Sequence, residues 1–157
     1  MPYTISFISL GCAKNVVNCE QMMELCRSAG HILQEDPAGA DVAVVNTCGF
    51  LAAASEEAIG VILHMAELKQ AGRLKKILVT GCMPQRYQEE IQQELPEADG
   101  FLGTGSYQEI TAAIEAVMAG ERPSRFGDID GPVDEGGRVL TTPAHYAYLR
   151  IAEGCDN

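Results

Sequence analysis

Three of the six cysteines stand in similar short contexts and have the residue type and spacing of a metal site. They are Cys12, Cys48 and Cys82, and each comes shortly after a run of apolar, β-branched residues. Thiolates are soft ligands that favour iron–sulfur clusters or zinc. Because a closed structural zinc site has four protein ligands, a set of three leaves one metal position open to another ligand. The sequence contains no C-x-x-C pair, and it therefore has neither a thioredoxin-like motif nor a common zinc knuckle.

The apolar runs that precede these cysteines alternate with segments of helical character. Strands are predicted over residues 4–10, 41–47, 76–80 and 101–103, with a short extended segment over 31–34. Helices are predicted from the cap Asn15 to Ala29, over 52–70, over 84–95, and after a capping box that runs from Ser106 to Glu109. This alternation is typical of an α/β fold with a doubly wound, mostly parallel sheet and helices on both faces, as in Rossmann and flavodoxin-like proteins.

Such a sheet would bring the three cysteines to one place. In an open α/β sheet the carboxyl ends of the strands share an edge, and ligands bind there. Cys12, Cys48 and Cys82 each follow a predicted strand, and consecutive members are separated by about one strand–helix–strand unit of roughly 30 residues or more. We therefore expect three thiols at one edge of the sheet. The alternative interpretation is that each is a small buried side chain of the core.

Two further cysteines have the spacing of a core face instead. Cys19 and Cys26 share a stripe of i, i+3, i+4 and i+7 positions on the first predicted helix with Met22. We expect both thiols to be buried and to bind no metal.

Composition and charge exclude several classes of protein. With 11 basic and 22 acidic residues the net charge is −11, which argues against binding to a phosphate backbone. The only basic run, at residues 73–76, is interpreted as the solvated end of a helix. No apolar run approaches the length of a membrane span, and the first residues carry no export signal. These features predict a cytoplasmic protein that has no membrane segment.

The composition changes near residue 120. We expect a first domain over residues 1–119 and a linker rich in glycine and proline over 120–137. Residues 138–157 are interpreted as the beginning of a second domain. The chain is accordingly expected to be a fragment of a longer protein.

Four segments resemble the radical S-adenosylmethionine methylthiotransferases. They are Leu-Gly-Cys-Ala-Lys-Asn at 10–15, Asn-Thr-Cys-Gly-Phe at 46–50, Gly-Cys-Met-Pro-Gln-Arg-Tyr at 81–87, and Tyr-Leu-Arg-Ile-Ala-Glu-Gly-Cys-Asp-Asn at 148–157. The resemblance covers nearly the whole chain. One departure is Asn18-Cys19, where the family more often has Asp-Ser.

The resemblance implies a set of cluster ligands. Cys12, Cys48 and Cys82 would hold an auxiliary 4Fe–4S cluster that carries the sulfur to be transferred. Cys155 would be the first cysteine of a C-x3-C-x2-C motif for a second 4Fe–4S cluster, and the rest of that motif lies beyond Asn157. The second cluster would cleave S-adenosyl-L-methionine to a radical, and an electron donor would reduce the clusters. The chain alone is therefore expected to be inactive.

The resemblance also implies a substrate. The residues after the second and third cysteines favour the branch that adds a methylthio group to the β-carbon of an aspartate in a small-subunit ribosomal protein. Two alternatives remain open. The first is the same chemistry on a transfer-RNA base, and the second is a non-catalytic flavodoxin-like module whose cysteines belong to the core.

Overall fold

A parallel β-sheet is the centre of the fold. The computed structural model describes residues 2–10, 13–47, 52–81, 84 and 90–125. Within these residues the strands are β1 (Thr4–Ser9), β2 (Ile32–Gln34), β3 (Val42–Thr47), β4 (Lys76–Gly81), β5 (Gly100–Gly103) and β6 (Ser124–Arg125). They pair in the order β2-β1-β3-β4-β5-β6, and every pairing is parallel.

Helices cover both faces of this sheet. The described helices are α1 (Ala13–Ser28), α2 (Ala52–Gln70) and α3 (Ile110–Met118), with a 3₁₀ helix at Thr104–Glu109 and helical residues at 90–94. One core cluster joins α2 and Ile91 to the sheet, and the other joins α1 and α3 to the opposite face. The predicted doubly wound α/β fold is confirmed.

The central strands are buried because helices pack on both of their faces. All six residues of β3 are buried, as is β4 after its first residue. Continuous apolar runs such as Val42–Val45 are therefore required here, whereas a strand with one solvated face would alternate apolar and polar residues. The predicted bounds of these strands agree with the structure to within one residue.

Helix bounds agree less uniformly with the sequence. The prediction for α2 is confirmed, and Ala58, Ile62 and Met65 on its predicted apolar stripe are buried. The predicted cap at Asn15 is wrong, because α1 already begins at Ala13. The stop at Gly30 is confirmed by its backbone angle φ of 92°.

The predicted capping box before the last helix is also wrong. The chain enters the 3₁₀ helix at Thr104, two residues before Ser106, and neither Gly103 nor Glu109 makes a side-chain capping hydrogen bond. Tyr107 is buried in the core that α1 and α3 cover.

The basic run at residues 73–76 is not a solvated helix end. Helix α2 ends at Gln70, and Leu74 is buried. The Lys75 ammonium lies 2.9 Å from the Asp41 carboxylate, and Lys76 is the first residue of β4. The run connects α2 to the sheet, and its charges are partly neutralised by acidic residues.

The beginning of the predicted linker belongs to the sheet. The Phe101 N–H donates to the Pro123 carbonyl at 2.8 Å, and β6 pairs with β5. The Arg122 guanidinium donates to the carbonyls of Gln92 and Leu95, which lie within and just after the helical residues 90–94. The domain boundary at 119 stays a prediction, since residues 126–157 lie outside the described part.

Among the residues that the structure describes, no helix is long and apolar enough to span a membrane.

Candidate metal centre

The four predicted cluster ligands lie outside the described residues. Cys48 and Cys82 are the residues that follow β3 and β4 in the sequence, and Cys12 is the third residue after β1. Among the residues that the structure describes, no three His, Cys, Asp or Glu side chains form a group that could hold a metal ion. The ligand set of Cys12, Cys48, Cys82 and Cys155 therefore stays a prediction.

The three strands that precede Cys12, Cys48 and Cys82 are neighbours. Strand β3 lies between β1 and β4, and all three run in the same direction. Ser9 pairs with Asn46, and Thr47 pairs with Gly81. Because adjacent strands are about 4.8 Å apart, the chain leaves the sheet at three neighbouring points along one edge.

Hydrogen bonds connect these strand ends to one another. The Leu10 N–H donates to the Asn46 carbonyl at 2.8 Å. The Thr80 hydroxyl donates to Asn46 Oδ1 at 3.2 Å, and the Thr47 hydroxyl donates to the Thr80 carbonyl at 2.7 Å. Asn46, Thr47 and Thr80 are each at most 1% exposed. The edge therefore has a buried polar layer beneath it.

Gly81 allows β3 and β4 to approach closely at this edge. Its φ of 99° lies in the left-handed region that other residues rarely adopt. A Cβ atom at this position would overlap the Thr47 carbonyl oxygen and would lie 2.7 Å from Asn46 Oδ1. Any side chain here would force the two strand ends apart.

Cys19 and Cys26 are buried thiols of the core, as the sequence predicts. Cys19 is 3% exposed and Cys26 is fully buried. Burial and the charge of Glu20 raise the pKa of Cys19 to about 12, although a hydrogen bond with Ser9 has the opposite effect. Burial, with a further contribution from Cys19, raises the pKa of Cys26 to about 12. Burial of this kind is typical of a cysteine that packs in the core as a small apolar side chain.

The thiol groups of Cys12, Cys48 and Cys82 are the ligand type that an iron–sulfur cluster requires. The side chains that join β3 to β4 at the edge, Asn46, Thr47 and Thr80, are neutral and supply hydrogen-bonding groups. Hydrogen-bonding groups of this kind commonly form the outer shell of iron–sulfur clusters.

Sequence reasoning missed this polar layer. Asn46 and Thr80 each end an otherwise apolar run, Val42–Val45 and Ile77–Val79 respectively. A polar residue within a strand that is buried on both faces needs a hydrogen-bond partner, and that signal could have identified the pair.

Comparison with known proteins places the chain in a family. Residues 4–103 match the model of the uncharacterized protein family UPF0004. The chain belongs to this family. The matched region begins with β1 and ends with β5, so the family model covers five of the six strands of the described sheet.

Proteins that are similar to this chain over nearly its whole length have names that state an activity. The protein of Lachnoclostridium phytofermentans is 51% identical over 153 residues, which are 97% of this chain and 35% of the relative. The proteins of Symbiobacterium thermophilum and Heliobacterium modesticaldum are 46% and 47% identical and cover 99% and 98% of this chain. All three are named ribosomal protein uS12 methylthiotransferase RimO. The resemblance to methylthiotransferases is confirmed, and the chain spans about a third of the length of these relatives.

Proposed function

We propose that this chain is the auxiliary-cluster domain of a radical S-adenosyl-L-methionine methylthiotransferase that modifies an aspartate of ribosomal protein uS12. The identity of 46 to 51% with proteins of that name, extending over nearly the whole chain, supports the reaction and the substrate. The longer protein acts in the cytoplasm and takes electrons from a separate donor.

The candidate ligands belong to two different clusters. Cys12, Cys48 and Cys82 hold an auxiliary 4Fe–4S cluster, and Cys155 is the first ligand of the cluster that binds S-adenosyl-L-methionine. When bound, the auxiliary cluster supplies the sulfur that is transferred. The chain's own contribution is positioning, because hydrogen bonds hold together the three strand ends that lead to these cysteines.

The observation that carries this assignment is the order of the strands. The three cysteines come after β1, β3 and β4, which are adjacent, parallel and in register at their carboxyl ends. Three core cysteines have no need to follow three neighbouring strands at the same edge. A shared ligand accounts for that distribution.

Anaerobic reconstitution with iron and sulfide tests the proposal. The parent chain is expected to bind about four irons and four sulfides, and Cys12→Ala is expected to lose most of both. Cys26→Ala is the matched control, since it also removes one thiol but from the core that α1 covers. Iron and acid-labile sulfide are measured per folded chain.

Two results would contradict the assignment. Equal loss of iron in Cys12→Ala and Cys26→Ala would show that the metal is not held by the strand-end cysteines. A parent chain that binds no iron and whose three strand-end thiols resist alkylation until it unfolds would favour the non-catalytic module.

A further inference from the structure

One buried residue links the three chain segments that lead to the candidate ligands. Leu10, Asn46 and Thr80 each stand two residues before a cysteine of the proposed ligand set. The Asn46 carbonyl accepts from the Leu10 N–H at 2.8 Å, and Asn46 Oδ1 accepts from the Thr80 hydroxyl at 3.2 Å. The first bond is a backbone bond of the parallel ladder that any residue at this position would make, whereas the second belongs to the Asn46 side chain and joins β3 to β4.

The position of Asn46 in the sheet requires an explanation. Its strand is fully buried, and the four preceding residues, Val42–Val45, are apolar. An aliphatic side chain would fill this site without the desolvation penalty of an amide. Apolar contacts are non-directional, however, while a hydrogen bond fixes the distance and angle between two groups. The amide suits a site where the relative position of two strands must be exact.

Two other features hold the same geometry. The Thr47 hydroxyl donates to the Thr80 carbonyl at 2.7 Å and so adds a second link between β3 and β4. Gly81 leaves space for the amide, since a Cβ there would lie 2.7 Å from Asn46 Oδ1. The polar layer thus depends on the hydrogen bond between Asn46 and Thr80. It also requires glycine at position 81, because a larger residue would occupy the space of the amide.

We propose that the Asn46 side chain is a positioning group that sets the distance between the exits of β3 and β4, and through them the separation of the two cysteines that follow, Cys48 and Cys82. Thr80 acts with it as the partner on β4. The inference rests on the proposed function for the identity of the bound group. The fixed spacing of the exits is a property of the chain itself and can be measured without any metal.

Thr80→Val tests the inference with little change of shape, because it removes the hydroxyl and keeps the branched side chain. Thr80→Ser keeps the hydroxyl and loses only the methyl group, so it is the conservative control that should behave like the parent. Ser6→Ala is the matched control, since Ser6 is also fully buried and donates to the Glu35 carbonyl at 3.0 Å, but within β1 instead of at the edge. Asn46→Ala is the second variant, and urea unfolding establishes which variants fold.

Two readouts are made on the folded variants. The first is the rate at which a chelator removes iron from the anaerobically reconstituted chain. We expect Thr80→Val to lose iron about ten times faster than the parent, while Thr80→Ser and Ser6→Ala stay close to it. The second is the rate at which mild oxidation joins Cys48 to Cys82 in the metal-free chain, measured by peptide mass mapping. We expect this rate to change severalfold in Thr80→Val and Asn46→Ala alone.

The outcomes separate this inference from the proposed function. If Thr80→Val matches Ser6→Ala in both readouts, the positioning role is refuted whether or not iron binds. If the parent binds no iron but cross-linking depends on Thr80 and Asn46, the positioning role stands and the cluster assignment fails. Dependence of both readouts on Thr80 supports both.

Discussion

At the scale of single residues, burial determines which thiols can react. Cys26 lies among Met22 and other apolar side chains, Cys19 is buried beside Ser9 and Glu20, and burial is the main cause that raises the pKa of both to about 12. A buried thiol in such surroundings behaves as a small hydrophobic side chain. The type of residue is therefore insufficient to assign a ligand, and its environment must be known.

The raised pKa values predict a loss of stability in alkaline solution. In the unfolded chain these thiols ionise near their ordinary pKa of 9.0, whereas in the folded chain they stay protonated up to about 12. Between these values the unfolded chain binds fewer protons, so the free energy of unfolding falls as the pH rises. The loss is up to ~1.4 kcal/mol per pH unit for each thiol.

Urea unfolding of the parent and of Cys26→Ala at about pH 8 and about pH 10 measures this effect. The variant is expected to lose less stability between the two pH values than the parent does. Met22→Leu is the control, because it alters the same core without a titratable group and should keep the slope of the parent. The same slope in all three chains would show that Cys26 ionises freely in the folded state.

At the scale of secondary structure, the end of β4 is the most constrained element. Gly81 combines a positive φ with close contact to the backbone of β3. Gly72, in the turn after α2, has a similar φ of 77° but no atom within 4 Å of a Cβ placed there. A side chain at Gly72 would therefore cause backbone strain alone, whereas one at Gly81 would cause both backbone strain and steric overlap.

Substitution of these glycines by alanine gives two different expected losses of stability. Gly72→Ala should lower the free energy of unfolding by ~1–2 kcal/mol, the cost of the left-handed conformation alone. Gly81→Ala should cost a further ~1–3 kcal/mol, because the strand ends must move to relieve the overlap. Urea denaturation of both variants tests this, and equal losses would mean that β3 and β4 are not in close contact at Gly81.

At the scale of the whole molecule, charge bears on the choice between the two substrates. The chain has a net charge of −11, and Glu56, Glu57 and Glu67 are exposed on α2. An acidic surface attracts a basic protein and repels a phosphate backbone, and both effects weaken with salt. We therefore expect this chain by itself to associate more readily with a basic protein than with an RNA.

Titration of labelled uS12 and of labelled transfer RNA with the chain, followed by fluorescence anisotropy, measures this preference. We expect binding to uS12 that weakens severalfold between about 50 and about 200 mM salt, and no binding to the RNA. An unrelated basic protein of similar size controls for non-specific attraction. Tighter binding to the RNA would favour the transfer-RNA alternative.

The sequence alone determined the fold class and most of the element bounds. Continuous apolar runs such as Val42–Val45 predict strands buried on both faces, and the 3.6-residue stripe through Ala58 and Ile62 predicts α2, because burial imposes these periods directly on the sequence. The resemblance to methylthiotransferases also came from local motifs.

Only the tertiary structure decided how the strand ends are joined. The link from Asn46 to Leu10 and Thr80, the close approach at Gly81, and the addition of β6 to the sheet all depend on residues that are distant along the chain. Such contacts leave no periodic signal, because they are set by which strands become neighbours and not by the order of residues within one strand.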